Sequence, residues 1–193
     1  MSKPLFIFGF GSLVRESGIR HFLRRKAGSP IASRICQLHG YRRCWNVAMD
    51  NSQDLPFYKF YIDPQTGRRP DVFVTFLNVR PVSGDKISGI LFSVTEKELH
   101  MLDARERNYA REEVSAAISI SVPGKVWVYK GTGAARARYV QSLSHDSACV
   151  QAKYYHDVHD AFQQLGAHHA QSFLDSTDAP EVPIVDLRRV NTR

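Results

Sequence analysis

The chain has 193 residues, 43% of them hydrophobic and 23% charged, which suits one domain with its own core and excludes a fibrous or disordered chain. No apolar run approaches the roughly 18 residues of a membrane helix, and the N-terminus lacks a cleavage-site pattern, so neither a membrane span nor a signal peptide is expected. The net charge is +7, which raises nucleic-acid binding, but the basic residues are scattered through RHFLRRK (20–26), YRR (41–43), RR (68–69), ARAR (135–138) and LRR (187–189) with no recognition helix or zinc finger, so a site for a small anion fits the charge equally well.

Leu5 to Phe8 predicts a first strand, left through Phe8-Gly9-Phe10-Gly11-Ser12-Leu13. SGIRHFLRRKAG (17–28) predicts a short helix, capped by Ser17, burying Ile19, Phe22 and Leu23, and stopped by Gly28. Arg34–Tyr41 and Phe57–Ile62 predict strands, with NVAMDNSQDLP as a polar loop between them. DPQTGRRPD (63–71) reads as a surface loop, followed by strands VFVTFLNV (72–79) and KISGILFSV (86–94). TEKELHMLDARER (95–107) predicts a helix with Thr95 and Glu98 forming a capping box. Val114–Val122 and Lys125–Lys130 predict strands around Pro123-Gly124, and Gly131–Ser147 a loop. Ala148–Leu165 predicts an amphipathic helix with Tyr154, Val158, Ala161, Phe162 and Leu165 on one stripe, ended by Gly166. A second helix is expected over His168–Leu174, then an extended tail (175–193) packed by Ile184, Val185 and Leu187. Strands dominate the middle without regular βαβ alternation, so the expectation is one α+β domain over 1–193.

Two features carry possible chemistry. The apolar stripe Leu99, Leu102 continues, at i+7 and i+4, to Glu106. A carboxylate is thus expected on a buried face in the last helical turn. Burial and the negative end of the helix dipole both disfavour its charge, which suits a group that moves protons. The competing reading is a salt bridge to Arg105, Arg107 or Arg111, or simple exposure at a frayed helix end. The second feature is the glycine-serine turn. It is either a tight turn only, or a cradle whose backbone N–H groups face an anion or a polarised carbonyl. It is neither GxGxxG nor GxSxG, so it marks neither a dinucleotide site nor a nucleophile elbow.

The three cysteines, Cys36, Cys44 and Cys149, form no CxxC pair, which predicts a reducing compartment and no disulfide framework. His156, His159, His168 and His169 have no accompanying Cys or acidic pattern, so no metal is expected.

Together, the turn and the glutamate segment resemble the γ-glutamylcyclotransferase superfamily, over most of residues 5 to 166. Phe10-Gly11-Ser12-Leu13 matches that family's YGSL-type turn, with Phe10 where the family has tyrosine. Leu102-Asp103-Ala104-Arg105-Glu106 matches its LDxRE segment, and Tyr109 resembles the tyrosine that follows. GYRRCWN (40–46) is similar to the GYxRRFWQ stretch of ChaC-type members, which act on glutathione. The resemblance implies a mixed, mainly antiparallel, β-barrel-like sheet flanked by helices. It implies a cytoplasmic, cofactor-independent enzyme that cyclises a γ-glutamyl compound, glutathione foremost, and releases 5-oxoproline. Glu106 would be its general acid and base. Phe10, Gly11, Ser12, Leu13, Arg42 (or Arg43), Trp45, Tyr109 and Tyr154 would contact the substrate, with no metal, membrane or nucleic-acid partner. Trp45 and Tyr154 read equally as core aromatics. Alternatives are the same chemistry on γ-glutamyl amines or amino acids, a ligand-binding protein without turnover on the same scaffold, and a basic nucleic-acid-binding domain.

Overall fold

A computed structural model describes residues 4–25 and 32–192. The elements in chain order are β1 (Leu5–Gly9), a 3-10 turn (Ser12–Val14), α1 (Glu16–Leu23), β2 (Ser33–Asp50), β3 (Lys59–Ile62), β4 (Phe73–Val94), α2 (Glu96–Arg105), β5 (Tyr109–Glu113), a 3-10 turn (Ser115–Ala117), β6 (Lys125–Gly131), α3 (Gly133–Leu143), β7 (Ala148–Gln151), α4 (Ala152–Gln164), α5 (Ala167–Asp175), β8 (Ile184–Val185) and β9 (Arg188–Asn191).

β4 is the spine. One edge carries β2 antiparallel, from Ser33↔Phe92 to Asp50↔Phe73. Against β4 also run β1, antiparallel at its C-terminal end (Leu5↔Val94 to Gly9↔Ile90), and β7, parallel at its N-terminal end (Phe73↔Ala148 to Thr75↔Val150). The sheet continues from β1 through β6 to β5, and from β7 to β8; β3 and β9 form a separate antiparallel pair. The expected α+β class, with a mixed sheet whose longest ladder is antiparallel and helices at its flanks, is what the chain forms. The main core joins Ile7, Phe8, Leu77 and Phe92 of the sheet to Ile19 of α1, Leu102 of α2, and Val158 and Phe162 of α4.

Pairing extends strands where local composition did not. Val47, Ala48 and Met49, expected in a loop, are buried and paired to β4 as part of β2. The two strands expected at 72–79 and 86–94 are one strand. The interruption survives as a register shift between His39 and Tyr41, flanked by Gly40 at φ +78 and Gly84 at φ +85. The strand expected at Val114–Val122 lies earlier, at Tyr109–Glu113, where it pairs with β6. Ala148–Gln151 joins the sheet as β7, so the amphipathic helix starts only at Ala152. The expected loop over 131–147 holds α3, capped by Thr132, whose hydroxyl accepts the Ala135 N–H at 3.2 Å. Ala135, Tyr139 and Ser142 are its buried face. Helix α1 is capped by the backbone of Arg15, not by Ser17, and Gly28 lies outside the described residues. The tail is extended as expected, and it also adds β8 and β9. Among the described residues, no helix is long and apolar enough to cross a membrane.

Candidate functional site

The glycine-serine turn is folded tightly onto itself. A Cβ on Gly9 would lie 2.6 Å from the Leu13 carbonyl oxygen, so only glycine lets β1 end this way. The Phe10 and Leu13 side chains are buried in the core, and Ser12 is half-buried. The turn is held from within the protein by Arg43. This guanidinium is fully buried, packed between the rings of Phe162 (4.8 Å) and Phe173 (4.9 Å). It donates to the Phe10 carbonyl at 2.9 Å, to Ser176 Oγ at 2.8 Å, and to the Ser88 carbonyl. Burial pulls its pKa down to about 9, which still leaves it charged at neutral pH.

Arg42 points the other way, as strand alternation requires. It donates to Asp178 at 2.5 Å, to Asp85 at 3.3 Å and to the Asp175 carbonyl at 3.1 Å. Of the two arginines considered for a substrate carboxylate, one therefore supports the turn from below. The other is held by the C-terminal segment, and none of its contacts joins it to the turn.

Helix α2 delivers Glu106. The capping box forms as expected: Thr95 Oγ1 accepts the Glu98 N–H, and the Glu98 carboxylate accepts the Thr95 N–H at 2.9 Å. At the other end, the Glu106 N–H still bonds Leu102 O, and its own carbonyl accepts the Tyr109 N–H at 2.8 Å, which turns the chain into β5. The Glu106 side chain is 15% exposed and forms an ion pair with Arg105. Arg105 lies over the Phe22 ring, 3.4 Å from its centroid. Of the other two arginines weighed as partners, Arg111 pairs with Asp103 at 2.8 Å, and Arg107 packs over Tyr58.

Leu77 in β4 joins the turn to two tyrosines. A Cβ on Gly11 would sit 3.4 Å from Leu77 Cδ2 and 3.6 Å from the Tyr154 hydroxyl. The Tyr109 hydroxyl donates to the Leu77 carbonyl at 2.7 Å, and a backbone hydrogen bond from Leu77 reaches the Tyr154 hydroxyl. Trp45 meets Tyr154 edge-on, ring centroids 6.0 Å apart. Both tyrosines are held as neutral phenols, first by burial and further by neighbouring charge, Glu106 included. Gly11, Trp45, Tyr109 and Tyr154, far apart in sequence, thus meet around Leu77, and the charge of Glu106 acts on both tyrosines. The Tyr154 proton finds no acceptor among the described residues, so this hydroxyl can donate to a bound group.

The sequence reading missed a neighbouring group of side chains, Tyr58, Lys59, Tyr61 and Phe76. The Lys59 ammonium is 4.1 Å from the Phe76 ring centroid, and Phe76 packs on Tyr154 at 5.3 Å. Burial, and secondarily the Arg189 charge, pull the Lys59 pKa down to about 7, while Glu106 opposes the shift. Asn108 donates to the Tyr58 hydroxyl at 3.1 Å, and Arg138 fixes Asn108 at 2.8 Å. One signal was available: DLPFYKF sets a lysine among aromatics in an alternating strand, where a solvent-facing lysine would need no such neighbours.

No protein-family model matches the chain, and no curated protein matches its sequence. Solved structures do match. A γ-glutamyl cyclotransferase superposes with a TM-score of 0.53 at 10% identity, covering 94% of each chain. A yeast γ-glutamyl cyclotransferase specific to glutathione gives 0.54 at 11% identity, covering 91% of this chain and 96% of the other. An uncharacterised human protein gives 0.54 at 11% identity, covering 92% and 89%. At such identities the likeness is one of architecture: this chain has the γ-glutamyl cyclotransferase fold.

Proposed function

We propose that the chain is a γ-glutamylcyclotransferase that converts a γ-glutamyl compound, glutathione first among candidates, into 5-oxoproline and the released amine. The observation that carries this reading is a mostly buried carboxylate, Glu106, gathered with the Gly11 turn and two neutral tyrosines on the fold of such enzymes.

The reaction is intramolecular, so the protein has to fold the substrate and carry protons from the α-nitrogen to the leaving nitrogen. The α-ammonium gives a proton to the Glu106 carboxylate. The freed amine attacks the γ-carbonyl carbon, and the oxygen gains charge. That charge is met by backbone N–H groups of Gly11 to Leu13 and by the uncommitted Tyr154 hydroxyl. The C–N bond to the leaving group then breaks as Glu106 gives its proton to the departing nitrogen; the ring nitrogen passes its second hydrogen to the same carboxylate, and that proton goes to the released amine, which leaves as an ammonium. The ring closes between the substrate's own nitrogen and carbon, so no side chain need be acylated.

The test is 5-oxoproline release by wild type and Glu106→Gln from glutathione, γ-glutamyl-alanine and a γ-glutamyl amine. Release from one substrate that the variant lacks establishes the reaction and its base, and names the substrate class. The Glu106–Arg105 ion pair favours a second reading, a γ-glutamyl-binding protein in which the carboxylate is a fixed salt bridge. Binding without release, unchanged in Glu106→Gln, selects that reading.

A further inference from the structure

Five cations gather about Tyr58, Lys59 and Glu106, and three of them have polar partners. Arg105 pairs with Glu106, and Arg107 packs over Tyr58 at 5.2 Å. Arg138 donates to the Ala48 carbonyl and to Asn108, and Arg189 donates to Asn191 Oδ1 at 3.0 Å. Lys59 differs. Among the described residues its ammonium has no hydrogen bond and no ion pair. It touches only ring faces: Phe76 at 4.1 Å, Tyr58 at 5.8 Å and Tyr61 at 6.0 Å. Three N–H donors are thus held in an aromatic box with no acceptor. A half-buried cation held against ring faces, with no acceptor beside it, is placed to take an anion.

The box has a fixed position. β3 is pinned to β9 at Lys59↔Asn191, and alternation sends Lys59 and Tyr61 to the same side. From the ammonium, Phe76 leads to Tyr154, whose hydroxyl lies 3.6 Å from the Cβ position of Gly11. Lys59 also lies within the field of Glu106.

We propose that Lys59 binds the α-carboxylate of the γ-glutamyl group, an assignment that rests on the function proposed above. The α-amine and α-carboxylate share one carbon. A base that takes the amine proton and a cation that holds the carboxylate must therefore act within one small site, and the charge of Glu106 reaches Lys59. The backbone N–H groups of the turn are then left for the carbonyl oxygen at the other end of the glutamyl chain. A charge-assisted contact of this kind is worth at least about tenfold in affinity.

The experiment uses Lys59→Met, which keeps the stem and removes the charge, and Lys59→Arg, which keeps a charge. Calorimetry with 5-oxoproline and with its uncharged amide reads carboxylate recognition without turnover. Wild type is expected to prefer the acid by about tenfold, Lys59→Met to lose the preference and Lys59→Arg to recover most of it. With γ-glutamyl-alanine, Lys59→Met is expected to raise KM by about tenfold while kcat changes far less. The proposal is overturned if wild type shows no preference, if Lys59→Met keeps it, or if the Arg variant behaves like the Met variant. The two readings fail separately. Carboxylate preference lost in Lys59→Met, without 5-oxoproline release by wild type, removes the reaction and keeps the anchor. Release with a preference that ignores Lys59 removes the anchor alone.

Discussion

Arg43 is a buried charge with no carboxylate beside it among the described residues. Its compensation is geometric: a planar fork that reaches Phe10 O, Ser88 O and Ser176 Oγ together, between two aromatic faces. Lysine has the charge but not the fork. Arg43→Lys is therefore expected to leave at least one buried carbonyl without a donor and to lose about 2–4 kcal/mol, read as a lower urea midpoint at unchanged slope. A loss below about 1 kcal/mol would mean that the fork is not what holds the turn. Sequence alone fixed only that Arg42 and Arg43 face opposite ways. It could not say which faces inward, because that depends on the register of β2 against β4.

Elements were legible where the signal was local. Helix α2 has a capping box, a stripe and a charged outer face, all within a dozen residues, and it lies where expected. The ends of β2 and β4 are set by the pairs Ser33↔Phe92 and Asp50↔Phe73, whose partners no short window along the chain contains together. Helix α3 was hidden because alanine and arginine favour helix without marking a face. The same split appears in the site: Glu106 follows from helical periodicity, whereas Lys59 enters through the β3–β9 pair. Two substitutions separate local from tertiary constraint. Thr95→Ala removes the cap of α2 and is expected to cost about 1 kcal/mol. It should leave 5-oxoproline release intact, since the cap lies at the end of α2 opposite Glu106. Gly9→Ala puts a methyl 2.6 Å from the Leu13 carbonyl oxygen and 2.9 Å from its carbon, both backbone atoms that cannot swing aside. It is expected to cost more than about 2 kcal/mol and to abolish release by displacing the turn. Equal effects of the two on release would sink the claim that the turn belongs to the site.

At the scale of the molecule, the buried titratable groups predict how stability varies with pH. Lys59 has its pKa lowered from 10.5 to about 7, so between those values the unfolded chain binds more protons than the folded one. Stability therefore rises as pH climbs from 7, because the desolvated ammonium sheds its proton. Arg43 acts in the same sense only from about pH 9 upward. The opposing groups are more numerous. Burial raises Cys36, Cys44 and Cys149 from 9.0 to about 11, and Tyr41 and Tyr139 from 10.0 to about 12. Their protonated forms stabilise the fold fully below the unfolded pKa, and that contribution is lost as pH rises through the folded value. Tyr58, Tyr61, Tyr109, Tyr129 and Tyr154 act in the same direction. The unfolding temperature at constant ionic strength should therefore climb from pH 7, pass a maximum near the unfolded cysteine pKa, and fall beyond it. Lys59→Met should lose the climb and keep the fall. A wild-type midpoint that is flat or decreasing from pH 7 to 9 would show that Lys59 keeps its water. The aromatic box would then be too open to make an unpaired ammonium seek a carboxylate.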